Sequence, residues 1–254
     1  DFFNLFKLMA DLLSIAFAVD PSLGKVDKES LPQQTLIELV ISGITDTEKH
    51  WPDGLPTEIT EWEGIMLNES GDVSQILWES RNFYGSLDLR WLPFSVVDVD
   101  FDINSLTGSL DFTELPENLE TLSFGQNAFS GSISLENLPN TLTSLDVSSN
   151  QLSGHVNLTQ LPRALTHLFL DENSFSGPLI LTNLPPEITS VHLNNNQFEG
   201  ETDFSQLPPS IDYIAVSNNA KLSGTLVVGY SYNGHVDGSG VKLVARQNTS
   251  KLYS

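Results

Sequence analysis

The sequence predicts an α/β fold: a solenoid of stacked repeats with one curved parallel β-sheet and a helical cap at its N-terminal end. Three observations in the 254 residues predict it. The dipeptide Leu-Pro recurs every 23 residues from Leu92 to Leu207, each repeat carries apolar residues two positions apart, and each carries one asparagine at a fixed position. A unit this short cannot bury an apolar side alone, so about seven units stack and share one core.

Three apolar columns run through the repeats and predict one short strand per unit. The last two columns are two residues apart, which is the period of a β-strand. Stacked strands of this kind pair in parallel at roughly 4.8 Å per strand. The columns are Val96, Leu119, Leu142, Leu165, Ile188 and Ile211; Val99, Leu122, Leu145, Leu168, Val191 and Ile214; and Phe101, Phe124, Val147, Leu170, Leu193 and Val216.

An asparagine follows each predicted strand, and in five repeats a glycine comes four positions later. The asparagine amide both donates and accepts, so we expect it to bond backbone groups of its own turn and of the next one. The glycine marks a backbone position with positive φ. Alternating apolar residues beyond the glycine, such as Leu110 and Phe112, predict a second short strand on the opposite side. The asparagines are Asn104, Asn127, Asn150, Asn173, Asn196 and Asn219, and the glycines are Gly108, Gly131, Gly154, Gly177 and Gly200.

The chain divides into a cap at 1–68, the repeats at 69–229 and a C-terminal cap or tail at 230–254. Helical spacing predicts one helix over 1–19 and another over Gln33–Ile44. The first nineteen residues leave three interpretations: a cap helix, the remnant of a signal peptide, or a helix that contacts a partner or a membrane. The Asn-Gly and Asp-Gly pairs of the C-terminal segment predict a hairpin that closes the solenoid as an edge strand or begins a tail.

Acidic residues dominate the charge of the chain. The sequence has 33 Asp and Glu against 11 Lys and Arg, so its formal net charge is -22. No basic cluster is present to bind phosphates, so nucleic acid is excluded as the expected partner. The absence of cysteine excludes disulfides and a thiol nucleophile. Because the sequence lacks G-x-S-x-G, H-E-x-x-H and P-loop motifs, and an open solenoid lacks a cleft, we expect no enzyme.

The repeat pattern resembles the leucine-rich-repeat superfamily, L-x-x-L-x-L-x-x-N-x-[LF]-x-G, over residues 69–229. It is closest to the plant-type subclass, whose Asn-x-Leu-x-Gly segment is matched by Asn150, Leu152 and Gly154. The Ile-Pro of that subclass is missing. The Leu-Pro at the start of each unit is similar to repeats of protist and algal surface proteins.

The segment before the first repeat resembles the end of the plant-type N-terminal cap. Trp62, Gly64 and Ile65 match its Trp-x-Gly-Val/Ile pattern. The cysteine of that pattern falls on Met66 or Leu67, so the capping disulfide is absent. Packing therefore has to hold this end of the solenoid.

The resemblance implies that ligands bind the concave face, where an acidic group of side chains is expected. Asp98, Asp100 and Asp102 alternate along one strand and should face the same side. Glu79 lies on the neighbouring strand and Asp146 two strands along. Three interpretations remain: a solvated acidic face, a docking surface for a basic partner, or a calcium site formed by Asp98, Asp100, Asp102 and Glu79, since calcium binds carboxylate oxygens. No other cofactor is expected.

Aromatic and imidazole side chains occupy the other end of the same face. His167, Phe169, His192 and Tyr213 fall at its exposed strand positions. Exposed aromatic residues on a rigid scaffold are plausible anchors for a ligand. These four residues, with the aspartates above, are the candidate ligand-binding residues.

Three sequons predict N-glycosylation at Asn68, Asn157 and Asn248, which favours a secreted glycoprotein. The resemblance implies a non-enzymatic recognition module that binds a protein or glycan partner, of basic character given the acidity, at the cell surface or outside the cell. One alternative is a scaffold subunit of a larger organellar membrane assembly, anchored by the helix over 1–19. A minor alternative is an ice-binding surface, for which Thr143, Thr166 and Thr189 would form the threonine column.

Overall fold

Short strands of the repeats lie on two sides of one apolar core. The computed structural model describes residues 28–45, 51, 58–228 and 233–245. The segment 1–19 and the predicted glycosylation site Asn248 lie outside the described residues. Helix α1 spans Gln33–Val40, so the helix predicted over Gln33–Ile44 is present but ends earlier.

Short strands make up most of the regular structure. They are β1 (Gly43–Thr45), β2 (Ile65–Leu67), β3 (Val73–Leu77), β4 (Tyr84–Ser86), β5 (Asp98–Asp100), β6 (Ser105–Gly108), β7 (Thr121–Ser123), β8 (Ala128–Gly131), β9 (Ser144–Asp146), β10 (Gln151–Gly154), β11 (His167–Phe169), β12 (Ser174–Gly177), β13 (Ser190–His192), β14 (Gln197–Thr202), β15 (Tyr213–Ala215), β16 (Lys221–Val228), β17 (Asn233–His235) and β18 (Gly240–Ala245). Single 3-10 turns span Lys28–Ser30, Ile59–Glu61 and Leu89–Trp91.

The strands form two sheets that enclose the core. The front sheet has the order β17-β15-β13-β11-β9-β7-β5-β3-β2, and the back sheet has the order β1-β4-β6-β8-β10-β12-β14-β16-β18. All neighbours are parallel except β2 with β3 and β1 with β4, which are antiparallel and lie at the N-terminal end. The front sheet is the predicted parallel sheet of the repeats, and its solvent-facing side, here the front face, corresponds to the predicted concave face.

The predicted register and core are confirmed. Asp98 lies opposite Gln75 on one side and Thr121 on the other, so neighbouring strands are offset by one whole repeat. Every residue of the three predicted apolar columns is buried. Each front strand therefore turns one side to the core and the other to the front face.

The asparagine column links neighbouring repeats by hydrogen bonds, but each amide bonds the preceding repeat and not, as was predicted from the sequence, the next one. Asn150 donates to the carbonyls of Val147 and Ser148 in its own turn, and also to that of Phe124. Its Oδ1 accepts from the Phe129 N–H at 2.9 Å. Phe124 and Phe129 belong to the preceding repeat, so the amide bonds backward rather than to the next repeat. The Asn150 amide thus gives hydrogen-bond partners to backbone groups in a bend where no strand pairing is present.

The second strand of each repeat lies earlier than predicted. The back strand β6 contains the Leu106-to-Gly108 segment, and Leu110 and Phe112 follow it in irregular backbone. Both of these residues are buried, at 4% and 3% exposure. Their alternation therefore reports burial against the core and not strand pairing. The predicted positive φ of the column glycines is confirmed, with 92° at Gly108.

A second positive-φ position precedes each asparagine and is filled by ordinary residues. In six repeats φ at this position lies between 51° and 55°, and the residues are Ile103, Gln126, Ser149, Glu172, Asn195 and Asn218. A β-branched residue is disfavoured in this region because Cβ approaches the backbone. Ile103 is also 43% exposed, so little burial offsets its strain.

We expect Ile103→Asn to raise the free energy of unfolding by about 1 kcal/mol, because asparagine tolerates positive φ. Urea unfolding with the midpoint and slope both fitted measures it. Ile180→Asn is the matched control, since Ile180 is 51% exposed and does not have positive φ. An equal gain in both variants would mean that strain at Ile103 is not the cause.

An aromatic cluster holds the N-terminal end in place of a disulfide, as expected from the missing cysteine. Trp62 stacks on Trp78 with ring centroids 6.3 Å apart, and Trp51 stacks on Phe83 at 5.7 Å. Trp78 also meets Phe101 of the next repeat edge-to-face at 5.4 Å. The rings thus join the cap to the first repeats through continuous apolar contact.

The C-terminal segment continues the solenoid instead of forming the predicted hairpin. Strand β17 pairs in parallel with β15, and β18 pairs in parallel with β16. The Asn-Gly pair at Asn233 lies within β17, while Asp237-Gly238 forms the turn. Among the described residues, β17 and β18 each lie at the edge of one sheet. In the part of the chain that is described, no helix is long and apolar enough to cross a bilayer.

Candidate functional site

The front face carries two contiguous groups of side chains. Its strand positions are in register, so equivalent residues of successive strands form rows across the sheet. One row reads Leu77, Asp100, Ser123, Asp146, Phe169, His192, Ala215 and His235. The row changes from acidic to aromatic between β9 and β11. The sequence-predicted candidate residues are thus brought together on a single face.

Asp98 and Asp100 of β5 and Asp102 just after it face the same side, because Val99 and Phe101 between them point into the core. All three aspartates are half-buried. Asp98 accepts hydrogen bonds from the Thr121 hydroxyl and, at 3.4 Å, from Gln75 Nε2. Ser123 Oγ lies 2.7 Å from both carboxylate oxygens of Asp102. These bonds hold the carboxylates in place across neighbouring strands.

The carboxylates of Asp102 and Asp146 converge over a glycine. A Cβ built on Gly125 would lie 3.1 Å from Asp146 Oδ1 and 3.3 Å from Asp102 Oδ1. Gly125 N–H donates to Asp102 Oδ1 at 2.6 Å, and Ser148 N–H donates to Asp146 Oδ1 at 2.8 Å. Gly125 does not have positive φ, so backbone conformation does not require glycine there. Because Gly125 has no side chain, the two carboxylates can approach each other over it, and we call Gly125 with Asp102 and Asp146 the acidic notch.

Burial raises the pKa of several front-face carboxyl groups. The pKa of Asp102 is raised to about 6, chiefly by burial, and Asp100 and Asp146 add repulsion. The pKa of Asp100 is also raised, by burial first and then by the charges of Glu79, Asp98 and Asp146. Proximity of like charges without a cation has this effect. Among the described residues, none of the ion pairs involves a carboxylate of this acidic group.

The raised pKa of Asp102 predicts a pH-dependent cost to folding. Its pKa lies at about 6 in the fold against 3.8 ordinarily, so the folded state holds the proton more tightly. The ionised Asp102 carboxylate lowers the free energy of unfolding. This loss is absent below about pH 4 and complete above about pH 6. We therefore expect Asp102→Asn to raise Tm at pH 7, with the gain vanishing near pH 4, as measured by scanning calorimetry.

Asp203→Asn is the control for this pH experiment. Asp203 is exposed, and its pKa is lowered by hydrogen bonds from Ser205, so its substitution should give no gain at pH 7. An Asp102→Asn gain that is equal at both pH values would show that burial of the charge is not its source.

The calcium interpretation receives no support from the geometry. Among the described residues, no group of three or more His, Asp or Glu side chains is arranged to hold a metal ion. Asp98, Asp100, Asp102 and Glu79 share the front face, but Glu79 is exposed while the three aspartates are half-buried. We therefore make no metal proposal for these residues.

Four strands carry a continuous row of rings, which we call the aromatic row: Phe169, His192, Tyr213 and His235, with His167 beside it. Ring centroids are 4.7 Å apart between Phe169 and His192, 4.6 Å between His192 and Tyr213, and 5.3 Å between Tyr213 and His235. His167 stacks on Phe169 at 6.1 Å. Phe169, His192 and His235 share one row of the sheet, and Tyr213, which lies opposite Ser190, contacts His192 diagonally. The rings form one surface because neighbouring parallel strands lie only about 4.8 Å apart.

His235 is a member of the row that the sequence analysis missed. It follows Ala215 by 20 residues instead of 23, so the repeat spacing did not find it. The pKa of His192 is lowered by burial first and by His167, while Asp146 opposes the shift. The His192 imidazole is therefore favoured in its neutral form, which stacks as an uncharged ring.

Other predicted positions lie away from the two groups. Asn68 is exposed in the turn between β2 and β3, and Asn157 follows back strand β10, where its Nδ2 donates to Glu136 at 2.8 Å. Thr166 and Thr189 each donate their hydroxyl to the threonine carbonyl one repeat earlier, at 2.8 and 3.0 Å. Because those hydroxyl protons are used internally, we carry the ice-binding alternative no further.

Comparisons with known proteins identify the fold. No protein-family model matches the chain, and no curated protein does. Among solved structures, it is similar to the LRR ectodomain of the plant membrane receptor kinase GASSHO1/SCHENGEN3 from Arabidopsis thaliana, in complex with CASPARIAN STRIP INTEGRITY FACTOR 2. The TM-score is 0.57 at 18% identity, over 73% of this chain and 24% of that chain.

Two further solved structures are similar along almost their whole length. Pollen Receptor Kinase 3 matches with a TM-score of 0.54 at 22% identity, over 86% of this chain and 98% of that chain. A chain of the BIR3 - SERK2 complex from Arabidopsis thaliana matches with a TM-score of 0.52 at 21% identity, over 70% of this chain and 98% of that chain. At these identities the similarity establishes the fold.

Proposed function

We propose that this chain, a leucine-rich-repeat solenoid close to the plant type, is a non-enzymatic recognition module that binds a protein or glycan partner through its front face. The observation that carries the proposal is the aromatic row beside half-buried carboxylates on one rigid sheet. Rings on a fixed backbone bind partners at low cost in conformational entropy.

The uncompensated charge of the front face supports a partner with basic character. The ion pairs of the described residues join Arg81 to Glu63, Arg90 to Asp88 and Lys221 to Glu199. None of them neutralises a carboxylate of the front face. A cationic group on a partner would supply the missing charge and would also be steered toward the -22 net charge of the chain.

An extracellular or cell-surface location is part of the proposal. The fold is shared with a plant membrane-receptor ectodomain. The sequons lie away from the aromatic row, Asn68 between β2 and β3 and Asn157 in irregular backbone after β10. A glycan at either position would leave the front face accessible. The scaffold alternative depends on residues 1–19, outside the described part, and no observation favours it.

Affinity capture with the intact chain tests the proposal. We expect the wild-type chain to retain a partner from its native source, and a Phe169→Ala/Tyr213→Ala variant to lose it. Phe94→Ala is the control, because Phe94 is a 48% exposed ring that lies in the turn before β5, outside the front strands. Retention of the same partner by all variants would contradict recognition through the front face.

A further inference from the structure

We propose that the C-terminal edge of the back sheet is a self-association surface, where β18 pairs antiparallel with β18 of a second copy of the chain and Leu243 lies on the two-fold axis. This surface, here the β18 edge, consists of β18 and the exposed apolar side chains of Val227, Leu243 and Val244. It belongs to the opposite sheet from the proposed recognition surface, so the dimer does not depend on the proposed function.

Strand β18 has a long backbone edge with little to block it. It pairs with β16 over six residues, from Gly240 to Ala245, whereas β4 and β6 pair over two. Within the described part of the chain, β16 borders it on one side, and no strand borders it on the other. Exposed edges are normally protected by prolines, charges or a covering segment. The sequence of β18 has no proline and one charged residue, Lys242.

Apolar side chains flank the β18 edge on both sides of the sheet. Val227 and Val244 lie opposite each other on β16 and β18, and they are 46% and 45% exposed. Leu243 points the other way, opposite the buried Leu226, and is still 48% exposed. Three of the eight large exposed hydrophobic side chains of the described residues thus lie on two neighbouring strands. Such a concentration of apolar surface indicates a contact site.

The apolar core ends at the same edge. Front strands from β3 to β15 each place an aliphatic residue at the central core position, but β17 has Gly234 there, opposite Ile214. A Cβ built on Gly234 would lie 2.7 Å from Leu226 Cδ2 and 3.5 Å from Leu243 Cδ1. Leu243 therefore closes the core against β17 while its outer side is exposed. A further strand beside β18 would remove this apolar surface from water.

The charge distribution favours a second copy as the occupant of this edge. Two copies of a chain with a net charge of -22 repel each other, and they repel least where the acidic residues are fewest. Of the 33 acidic residues, three lie after residue 202, together with four of the 11 basic residues. These seven are Asp203, Asp212 and Asp237, and Lys221, Lys242, Arg246 and Lys251.

The residues of β18 select one register for the pair. A two-fold axis between antiparallel strands places one residue opposite its own copy, and directly opposite residues point to the same side of the sheet. With Leu243 on the axis, Lys242 lies opposite Val244 of the second copy. With Lys242 on the axis, two like charges would lie directly opposite, which destabilises the pair. The axis at Leu243 is therefore favoured.

This dimer would present two recognition surfaces together. The axis is perpendicular to the back sheet, so the outer sides of both back sheets face one way and both front faces face the other. A partner with two binding segments would then contact both copies, and the second contact would form at a high effective concentration.

Sedimentation velocity on the intact chain tests for the dimer. We expect the wild-type chain to sediment as a dimer at about 100 μM, since one strand pair forms a small interface. Leu243→Lys places two ammonium groups opposite each other and should raise the dimer dissociation constant at least about tenfold. Ile180→Lys is the control and should change nothing, because Ile180 is 51% exposed in irregular backbone after β12, outside the β18 edge.

Cysteine cross-linking tests the register by a gain of signal. The chain has no cysteine, so one introduced thiol per chain forms disulfides only between copies. Directly opposite residues of an antiparallel pair have Cα atoms about 4.5–5.5 Å apart, within the range of a disulfide. We expect Leu243→Cys to give a covalent dimer on mild oxidation, seen by non-reducing electrophoresis, while Lys242→Cys and Ile180→Cys stay monomeric.

The possible results either support or overturn this contact. A monomer at about 100 μM would overturn a second copy as the occupant, whether the edge takes a strand of another protein or is covered by residues 246–254. A dimer that Leu243→Lys leaves unchanged, or that Lys242→Cys cross-links better than Leu243→Cys, would overturn the surface and its register. Phe169→Ala/Tyr213→Ala should leave the dimer intact, and loss of the dimer in that variant would place the contact on the front face instead.

Discussion

Asn196→Ala is expected to lower the free energy of unfolding by at least about 3 kcal/mol, because it leaves buried backbone groups without partners. Asn196 is 8% exposed; its Oδ1 accepts from Phe175 N–H, and its Nδ2 donates to the carbonyls of Leu170 and Leu193. Water cannot replace these bonds inside the stack. Urea unfolding followed by circular dichroism measures the loss.

Two further variants define the cause of the loss at Asn196. Asn196→Asp keeps an acceptor but turns a carboxylate toward carbonyl oxygens, so it should destabilise at least as much as alanine. Asn118→Ala is the control, because this exposed amide makes a single 3.4 Å bond to Phe94, and its change should stay within about 0.5 kcal/mol. A loss at Asn196 as small as that at Asn118 would contradict a structural role for the asparagine column.

Trp78→Ala is expected to lower the free energy of unfolding by about 3–5 kcal/mol, the range for a large aromatic residue removed from a core. Trp78 is 1% exposed and contacts Trp51, Trp62, Phe83 and Phe101. With no disulfide at this end, its loss opens a cavity between the cap and the first repeats. Urea unfolding followed by near-UV circular dichroism is the measurement.

A conservative change at the same position serves as the reference for Trp78→Ala. Trp78→Phe keeps a ring in the cluster but loses the hydrogen bond from Nε1 to the Glu63 carbonyl, which is 2.7 Å long. We expect its loss to be about half that of alanine. A Trp78→Ala loss below about 1 kcal/mol would show that the aromatic cluster does not hold the N-terminal end.

The core and the front face were predictable because both depend on position within one repeat. The burial of Val99 and the outward orientation of the half-buried Asp98 and Asp100 follow from an alternation that any strand imposes. Identical spacing then places Asp146 and Phe169 side by side on neighbouring strands. Stacking in register converts a periodic sequence directly into rows on a surface.

The sequence did not correctly indicate which residues pair in the back sheet, and it did not indicate where the backbone is strained. Leu110 and Phe112 alternate as strand residues do, yet they pack on the core from irregular backbone. The residue type at position 103 did not indicate the positive φ of Ile103, because β-branched residues rarely adopt positive φ. At Ile103 the backbone N–H donates to the Gly125 carbonyl of the next repeat at 2.9 Å, so contact between repeats holds this bend.

Repeat spacing was enough to establish the solenoid, its apolar columns and the common face of Asp98, Asp100 and Asp102, since each of these is a property of one chain period. The acidic notch at Gly125 and the place of His235 in the aromatic row were not accessible in that way. The notch requires side chains from β9 and from the turn after β5 to meet over a residue after β7. His235 joins the aromatic row because β17 adds one more strand to the front sheet, after a spacing of 20 residues instead of 23. Both depend on distances between side chains of different repeats. The packing of the repeats determines these distances, and the residue spacing in the sequence does not give them.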